Sequence, residues 1–479
     1  MRGARMVASI GFLTRMSTVL LIQLVFRYPK RTRGCARWSI IADSLPHTLL
    51  GASERMGKTF HFGRDLLQSI GSSGVGLFLT LITTPIMTRL FAPDAYGVNA
   101  VVLNVATLVA SLGLLGLPVA LARQKKVSEQ ARLFNASVQM AVIIFGLSTV
   151  LVVVAFFNPA ALPDGMSMLV ALIFPFLVLV HSAQRIVDSL VTAKGLFPAQ
   201  AAARIGNAVT SRALPIFLGW LVYPGTASML TGDGAGKITH VIVTVRLGNL
   251  RSDWRGFRWK PASYFLRNTL REYRDFAFQS NVATALPLLS ALAVQVVLGA
   301  RLGTEAIGYY ALAQSIITLP VTVIALASAP VVFHRLVLIA DETPDKLPGL
   351  AMKVMLSYLV VGAVCMSPIV FFGPIIFEVA FGDAWRSAGV AASILAIPQL
   401  LAFSLTGTLA LFRVTHKINA WFGFELAGTT AIVGGLVLLP PSSNLITAMI
   451  FLASLKFVYN VLMLAGCMWA SRQLTDFHR

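Results

Sequence analysis

TRLFAPDAYGVNA, residues 88–100, returns in altered form as ARLGTEAIGYYA, residues 300–311. An arginine, an acidic residue, a glycine and two alanines keep their relative positions to within one residue. Two more pairs of segments keep a similar offset of 210–212 residues: GRDLLQS (63–69) with YRDFAFQS (273–280), and LPVALAR (117–123) with APVVFHR (329–335). Three matches in the same register predict a chain built from two repeated halves.

The composition is typical of a membrane protein. Of the 479 residues, 56% are hydrophobic and only 12% are charged, and the mean hydropathy is +0.77. Soluble domains carry about 25% charged residues. Apolar stretches of about 20 residues, the length that crosses a bilayer core, recur along the chain. We predict an all-α polytopic protein with about 12 transmembrane helices, near residues 66–90, 95–122, 134–157, 167–192, 199–223, 226–247, 276–300, 306–333, 350–380, 386–412, 418–440 and 445–470.

The basic residues alternate along the chain with the predicted spans. The links after the odd-numbered spans are short and carry few cations, whereas those after the even-numbered spans are basic. The basic links hold Arg123, Lys125, Lys126 and Arg132, then Lys194, then a run from Arg246 to Arg274, then Arg335 and Lys346, then Arg413 and Lys417. Lys and Arg mark cytoplasmic loops, so both ends of the core are predicted to be cytoplasmic. The net charge of +20 therefore reflects topology, and no nucleic-acid partner is expected.

The repeat and the spans together predict the domain organisation. Six spans per half is an even number, so both halves start in the cytoplasm and are related by a parallel pseudo-two-fold axis along the membrane normal, a scheme used by secondary transporters. The N-terminal extension is either an incorrectly assigned start, with Met56 as the natural first residue, or an extra or signal-like helix. The predicted domains are the extension (1–55), the N-terminal six-helix lobe with the start of the linker (56–250), a basic cytoplasmic linker (251–274) and the C-terminal six-helix lobe (275–479).

A glycine-rich stretch, TGDGAGKITH at residues 231–240, superficially resembles a phosphate-binding loop. The P-loop motif requires glycine at the position of Thr231 and a hydroxyl residue at that of Ile238, so nucleotide hydrolysis is not predicted. The link before this region has no cations, whereas the link after it is basic, so the two links are predicted to lie on opposite sides of the membrane. The stretch is therefore predicted to lie inside the sixth span. Its glycines should weaken that helix, and we predict a flexible helix that faces a cavity.

The cysteines argue against a metal or disulfide framework. Cys35, Cys365 and Cys467 lie far apart and form no C-x-x-C motif. No cofactor, metal site or catalytic residue is predicted, and the chain is not expected to be an enzyme.

Several of these segments also carry a resemblance to a known family. In order along the chain they are FGRDLLQS, TPIMTRLFAPDAYG, LVTAKGLFPAQAAARIGNA, YRDFAFQSN, LGTEAIGYYALAQSIITLP and VAFGDAWRSAG, and the similarity covers roughly residues 60–470. The chain resembles the polysaccharide exporters of the multidrug/oligosaccharidyl-lipid/polysaccharide (MOP) flippase superfamily, and within it the Wzx-type flippases.

The resemblance implies a function as well as a fold. Two bundles would enclose a cationic cavity and flip a lipid-linked oligosaccharide, a glycan on polyprenyl pyrophosphate, across the bacterial inner membrane by alternating access. The product would serve O-antigen, capsule or exopolysaccharide synthesis, beside polymerase and glycosyltransferase machinery. The alternatives are a multidrug or other small-molecule exporter of the same superfamily, and a membrane glycosyltransferase or polymerase.

Cations at membrane depth are the candidates for binding an anionic cargo. Charges there are costly and usually face a cavity or a partner, and arginine binds phosphate oxygens bidentately. The predicted substrate-binding residues are His181, Arg185, Arg212, Lys237 and Lys456. His181 and Arg185 share one face of span 4 with Asp188, and Lys237 shares one face of span 6 with Asp233 and His240.

The acidic residues have two predicted roles. Asp188, Asp233 and Glu425 are candidates for ion pairs or for taking up the coupling ion, H⁺ or Na⁺. Asp188 is a possible ion-pair partner of Arg185, and Asp233 of Lys237, by their helical spacing.

Three residues are expected near the periplasmic ends of their helices. Arg89 and Arg301 are predicted to lie there, either snorkelling to lipid headgroups or keeping a position inherited through the repeat. Trp385 is predicted to be an interfacial anchor.

Overall fold

The computed structural model describes residues 74–157, 167–250, 262–415, 417–440 and 444–477. Within these ranges the chain is helical apart from short turns. The predicted N-terminal extension and the beginning of the first predicted span lie outside the described residues, so both stay predictions.

The first half of the chain forms seven described helices. They are α1 (Gly74–Leu90), α2 (Pro93–Gly113), α3 (Leu117–Arg123), α4 (Val127–Phe157), α5 (Met168–Lys194), α6 (Phe197–Leu221) and α7 (Thr226–Leu247). Proline lies in the first turn of α2, α3 and α6, where its missing N–H costs no helical hydrogen bond. Gly195 ends α5 in the left-handed conformation, with φ +66°, which favours glycine.

The described part of the second half begins with a short amphipathic helix and continues with six long helices and the five-residue α13. They are α8 (Ala262–Glu272), α9 (Arg274–Leu302), α10 (Thr304–Glu342), α11 (Leu347–Phe381), α12 (Arg386–Thr408), α13 (Ala410–Val414), α14 (Ile418–Val437) and α15 (Leu445–Phe477). A single 3₁₀ turn, Asp383–Trp385, joins α11 to α12.

The helices reproduce the predicted membrane spans. Among the described residues, nine helical segments are long and apolar enough to cross a membrane. Three further helices, α1, α6 and α7, occupy predicted spans 1, 5 and 6 but are shorter or more polar. The predicted all-α polytopic fold with two six-helix lobes is therefore confirmed.

The two lobes meet where the repeated motif lies. A Cβ atom on Gly97 of α2 would collide with the carbonyl oxygen of Thr304, and one on Gly308 of α10 would collide with that of Pro93. Thr304 and Gly308 lie 211 residues after Pro93 and Gly97, so the contact is the same on both sides. Reciprocal contacts of this kind are the signature of a two-fold axis, and here the axis passes between α2 and α10. We call this contact the seam.

The glycine-rich stretch forms a continuous helix. Gly236 packs against α6, where an added Cβ would lie 2.6 Å from Asn207 Oδ1 and 2.8 Å from Ser211 Cβ. Gly232 packs as closely against Pro215. Glycine therefore lets α7 approach its neighbours, and the close packing offsets its low helix propensity. The predicted flexibility of this helix stays a prediction.

The linker helix α8 rests on the N-terminal lobe. Leu266 and Thr269, on one face of α8, are buried, and Arg132 of α4 forms an ion pair with Glu272. Arg132 Nε also donates to Thr269 Oγ1 at 3.2 Å. The C-terminal part of the predicted linker thus packs against the N-terminal end of α4.

Candidate functional site

Two histidine–aspartate contacts join α5 to α7. His181 Nε2 lies 3.3 Å from Asp233 Oδ2, and His240 Nε2 lies 2.8 Å from Asp188 Oδ1. Each helix contributes one histidine and one aspartate. We call these four residues the histidine–aspartate ladder.

The ladder follows from the two polar faces recognised in the sequence. On each helix its two members lie seven residues apart, which is about two turns and about 10 Å along the axis. The contacts advance in the same direction on both helices, so α5 and α7 run parallel. Gly234 of α7 faces Phe176 and Leu177 of α5 at 3.4–3.5 Å from an added Cβ, and this close approach brings the side chains within reach.

The carboxylates contact partners on neighbouring helices, which the residue spacing within one helix does not indicate. Asp188 is engaged by His240 and also accepts from Gln200 Nε2 at 3.0 Å. Arg185 lies within electrostatic reach of Asp188 but not within ion-pair distance. The predicted Arg185–Asp188 ion pair is therefore wrong, because the neighbouring helix supplies a closer partner.

The same correction applies to α7. Asp233 contacts His181, whereas Lys237 lies only within electrostatic reach of it. Asp233 therefore faces α5, and the predicted Asp233–Lys237 pairing is wrong.

Three cations surround the ladder without an ion pair of their own. Among the described residues, no carboxylate lies within 4.0 Å of Arg185, Arg212 or Lys237. Lys237 and Arg185 are close enough to His181 to act on it electrostatically, and Lys237 and Arg212 to act on Asp233. All three cations are partly exposed. The carboxylates of this region thus lie against histidines, whereas these three cations have no carboxylate partner among the described residues.

Lys456 lies in the other lobe and has neutral partners. Its Nζ donates to Tyr310 Oη at 3.2 Å and to Gln314 Oε1 at 3.3 Å, and it lies 5.3 Å from the Tyr310 ring centroid. Lys456 is the twelfth residue of α15, as Lys237 is of α7. The structure places the two lysines at matching points of their helices but in different surroundings.

Glu425 has a partner close to Lys456 in sequence. Tyr459, three residues after Lys456, donates its hydroxyl to Glu425 Oε2 at 2.6 Å. The structure therefore brings Lys456 and Glu425 into one polar region of the C-terminal lobe, apart from the ladder.

The two arginines that are predicted to lie at periplasmic helix ends each donate to the end of a helix. Arg89 Nη2 lies 3.3 Å from the carbonyl oxygen of Val379 on α11, and Arg301 Nη2 lies 3.4 Å from that of Val437 on α14. Cations stabilise helix C-termini. The contact of Arg89 crosses from one lobe to the other, whereas that of Arg301 stays within its lobe.

Trp385 is buried in the seam. Its side chain is only 1% exposed, and its Nε1 donates to the carbonyl oxygen of Thr88 at 2.8 Å. It makes edge contacts with Tyr96 at 4.9 Å and Tyr309 at 6.1 Å. The prediction of a lipid-facing anchor is wrong, because the α11–α12 turn folds the indole inward against the other lobe.

Several polar residues of these regions were not predicted. Tyr310 and Gln314 lie four residues apart on α10, and that spacing inside an apolar span is the signal that would have indicated them. Asn104 donates to Gln295 Oε1 at 2.8 Å across the lobes, and nothing in its local sequence marks that pairing. Among the described residues, no cluster of three or more histidine, cysteine or acidic residues is suited to a metal ion.

With this geometry described, comparisons identify the family. Residues 86–389, more than half of the chain, match the family model described as polysaccharide biosynthesis protein. The chain belongs to this family. No curated protein sequence matches it.

Solved structures similar to this polysaccharide biosynthesis protein share its fold at low identity. An inward-facing multidrug resistance MATE family transporter of the MOP superfamily has a TM-score of 0.61 at 15% identity, covering 85% of this chain and 99% of its own. The lipid II flippase MurJ, in an inward closed conformation, has 0.59 at 13%, covering 84% and 86%. An outward-facing MATE transporter has 0.53 at 13%, covering 87% and 96%. The family match supports the predicted resemblance to polysaccharide exporters, and these structures show that the chain shares the fold of MOP-superfamily transporters.

Proposed function

We propose that this membrane protein flips a lipid-linked oligosaccharide, a glycan carried on polyprenyl pyrophosphate, across the bacterial cytoplasmic membrane. The product would serve the assembly of O-antigen, capsule or exopolysaccharide. The family match supports a role in polysaccharide biosynthesis, and a flippase for lipid II is among the chains with the same fold.

The observation that carries the proposal is the uneven pairing of charges around the ladder. Asp188 and Asp233 are engaged by histidines, whereas Arg185, Arg212 and Lys237 have no ion pair among the described residues. A pyrophosphate that leaves water loses its hydration, and charge-assisted hydrogen bonds from guanidinium and ammonium groups replace it. A cavity for cationic drugs needs the opposite arrangement, with carboxylates free to bind.

The movement would be alternating access of the two lobes. The seam between α2 and α10 lies at the end predicted to be periplasmic, so opening on that side requires these helices to separate. Trp385 and Arg89, which bond across the lobes near the seam, would release their partners in the same step.

The ladder is the proposed site of ion coupling. A histidine beside a carboxylate can exchange a proton with it when the local charge changes. His181 with Asp233 adjoins Lys237 and Arg185, so binding of an anionic headgroup to these cations would alter the charge balance at the pair. The coupling ion would be H⁺ or, at Asp188, Asp233 or Glu425, Na⁺.

The proposal includes the orientation of the protein in the membrane. The core termini would be cytoplasmic, and the flipped lipid would pass to polymerase or glycosyltransferase machinery at the periplasmic face. A glycosyltransferase or polymerase needs residues arranged for acid–base or metal chemistry, and the free groups at the ladder are cations.

The experiment is a headgroup series. Purified protein in nanodiscs is titrated with undecaprenyl diphosphate, undecaprenyl monophosphate and undecaprenol. We expect the diphosphate to bind at least about 30-fold more tightly than the alcohol, from about 2 kcal/mol of charge-assisted bonding. The preference should shrink in R185Q/K237Q and persist in R413Q, which removes a cation from the exposed end of α13. Equal binding of all three lipids, or tighter binding of tetraphenylphosphonium than of the diphosphate, contradicts the proposal.

A further inference from the structure

A groove of about 460 Å³ lies between α1 and α6. It is lined by Leu79, Thr83, Ala208, Val209, Arg212, Ala213, Ile216, Phe217 and Trp220. All but two of these side chains are apolar, and the hydroxyl of Thr83 donates to the carbonyl oxygen of Leu79 in its own helix. The groove therefore presents an apolar wall, and Arg212 lines it mainly through the aliphatic part of its side chain.

The groove opens at the surface of α6. Val209, Phe217 and Trp220 are 47%, 54% and 79% exposed. They lie on the side of α6 opposite Pro215, which packs against α7. Exposed apolar surface in a membrane-spanning helix is where a lipid chain lies against the protein.

Arg212 lies close to the middle of the membrane-spanning helix. It follows Phe197 by 15 residues and precedes Leu221 by nine, which places it about 22 Å from one end of α6 and about 14 Å from the other. The hydrocarbon core is about 30 Å thick. The phosphate of a resident phospholipid lies in the headgroup layer, so it does not reach a cation at this depth.

The groove also adjoins the ladder. Arg212 is within electrostatic reach of Asp233 on α7 and of Tyr96 on α2. A phosphate bound to Arg212 would therefore lie near Lys237 as well, since Lys237 acts on the same carboxylate. Arg212 therefore belongs both to the apolar wall of the groove and to the group of cations beside the ladder.

We propose that this groove holds the phosphate-proximal isoprenoid units of the lipid-linked cargo while its headgroup crosses, with Arg212 binding the diphosphate. This inference rests on the proposed function and adds the path of the chain, which would leave the headgroup along α1 and α6 within one lobe. A lipid whose phosphate crosses the bilayer is the occupant that meets a cation at mid-depth.

The test uses photocrosslinking in proteoliposomes. Benzoylphenylalanine replaces Ala213 in the groove, and a matched variant replaces Ala363, an exposed alanine in the middle of α11. Radiolabelled undecaprenyl diphosphate is the probe. We expect labelling at position 213 at least about tenfold above that at 363, competed by unlabelled undecaprenyl diphosphate and lowered at least about tenfold by R212Q.

Filling the groove supplies an independent readout. A213W should lower the flipping rate of a lipid-linked glycan at least about tenfold, because an indole there would occupy the space of the chain. A363W, the same change on α11, should retain the rate.

The outcomes separate the inference from the proposed function. Equal competition by phosphatidylglycerol means that the groove holds an ordinary phospholipid, and the inference is then wrong. Labelling at 213 no higher than at 363, with undecaprenyl diphosphate still bound through Arg185 and Lys237, also overturns the inference but leaves the function intact. Failure of the unsubstituted protein to bind undecaprenyl diphosphate refutes the proposed function itself.

Discussion

The internal repeat gives equal contacts at the seam of this protein but different side-chain surroundings in its membrane interior. At the seam, Gly97 and Gly308 make the same contact from both lobes. In the interior, Lys237 and Lys456 occupy the same place in α7 and α15, yet Lys237 borders the ladder and Lys456 is hydrogen-bonded to Tyr310 and Gln314. The repeat has kept the packing that closes the two lobes, whereas only the N-terminal lysine lies beside the ladder, together with Arg185 and Arg212.

The largest expected effect is at the seam, where the symmetry should be measurable. G97L and G308L each force a side chain against a backbone carbonyl, which costs at least about 2 kcal/mol and favours the open seam about 30-fold. Both variants should lengthen the distance between spin labels at positions 94 and 305, which are exposed on the two lobes, as measured by double electron–electron resonance.

The control is G146L, because the space around Gly146 is open. An unchanged distance in G97L, or a change in only one of the two seam variants, contradicts the two-fold contact.

A second effect, unequal between the two lobes, is expected in the interior. H240L removes the buried partner of Asp188 and should lower the free energy of unfolding by about 2–3 kcal/mol. Y459F removes the hydroxyl that donates to the partly exposed Glu425, and should cost about 1 kcal/mol. Denaturant titration in detergent micelles measures both. Equal losses in the two variants argue against a ladder that is more deeply buried than its C-terminal counterpart.

Local sequence pattern predicts much of this fold and part of the site. Span length and the internal repeat indicate the helices and the two lobes, because a bilayer constrains every segment in the same way. The sidedness of the helices, which rests on the alternation of basic links, stays a prediction. The faces that carry His181 with Asp188, and Asp233 with His240, are visible as helical spacing.

The choice of partners is not visible in local sequence. Asp188 contacts His240 rather than the nearby Arg185, and that depends on how α5 and α7 are rotated and on how closely Gly234 of α7 lets the helices approach. The sequence mispredicts the environment of Trp385 for the same reason, because the turn after α11 determines whether its indole faces lipid or the other lobe. These are long-range properties of packing.

The central claim is that the cargo headgroup is bound by the cations around the ladder in the N-terminal lobe. The measurement is the flipping rate of a fluorescent lipid-linked oligosaccharide in proteoliposomes for K237Q and K456Q, the same change at matching positions of the two lobes. We predict a loss of at least about tenfold for K237Q, which removes one of the cations beside the ladder, and less than about threefold for K456Q, whose ammonium is already hydrogen-bonded to Tyr310 and Gln314. A loss in K456Q equal to or greater than that in K237Q would contradict the account.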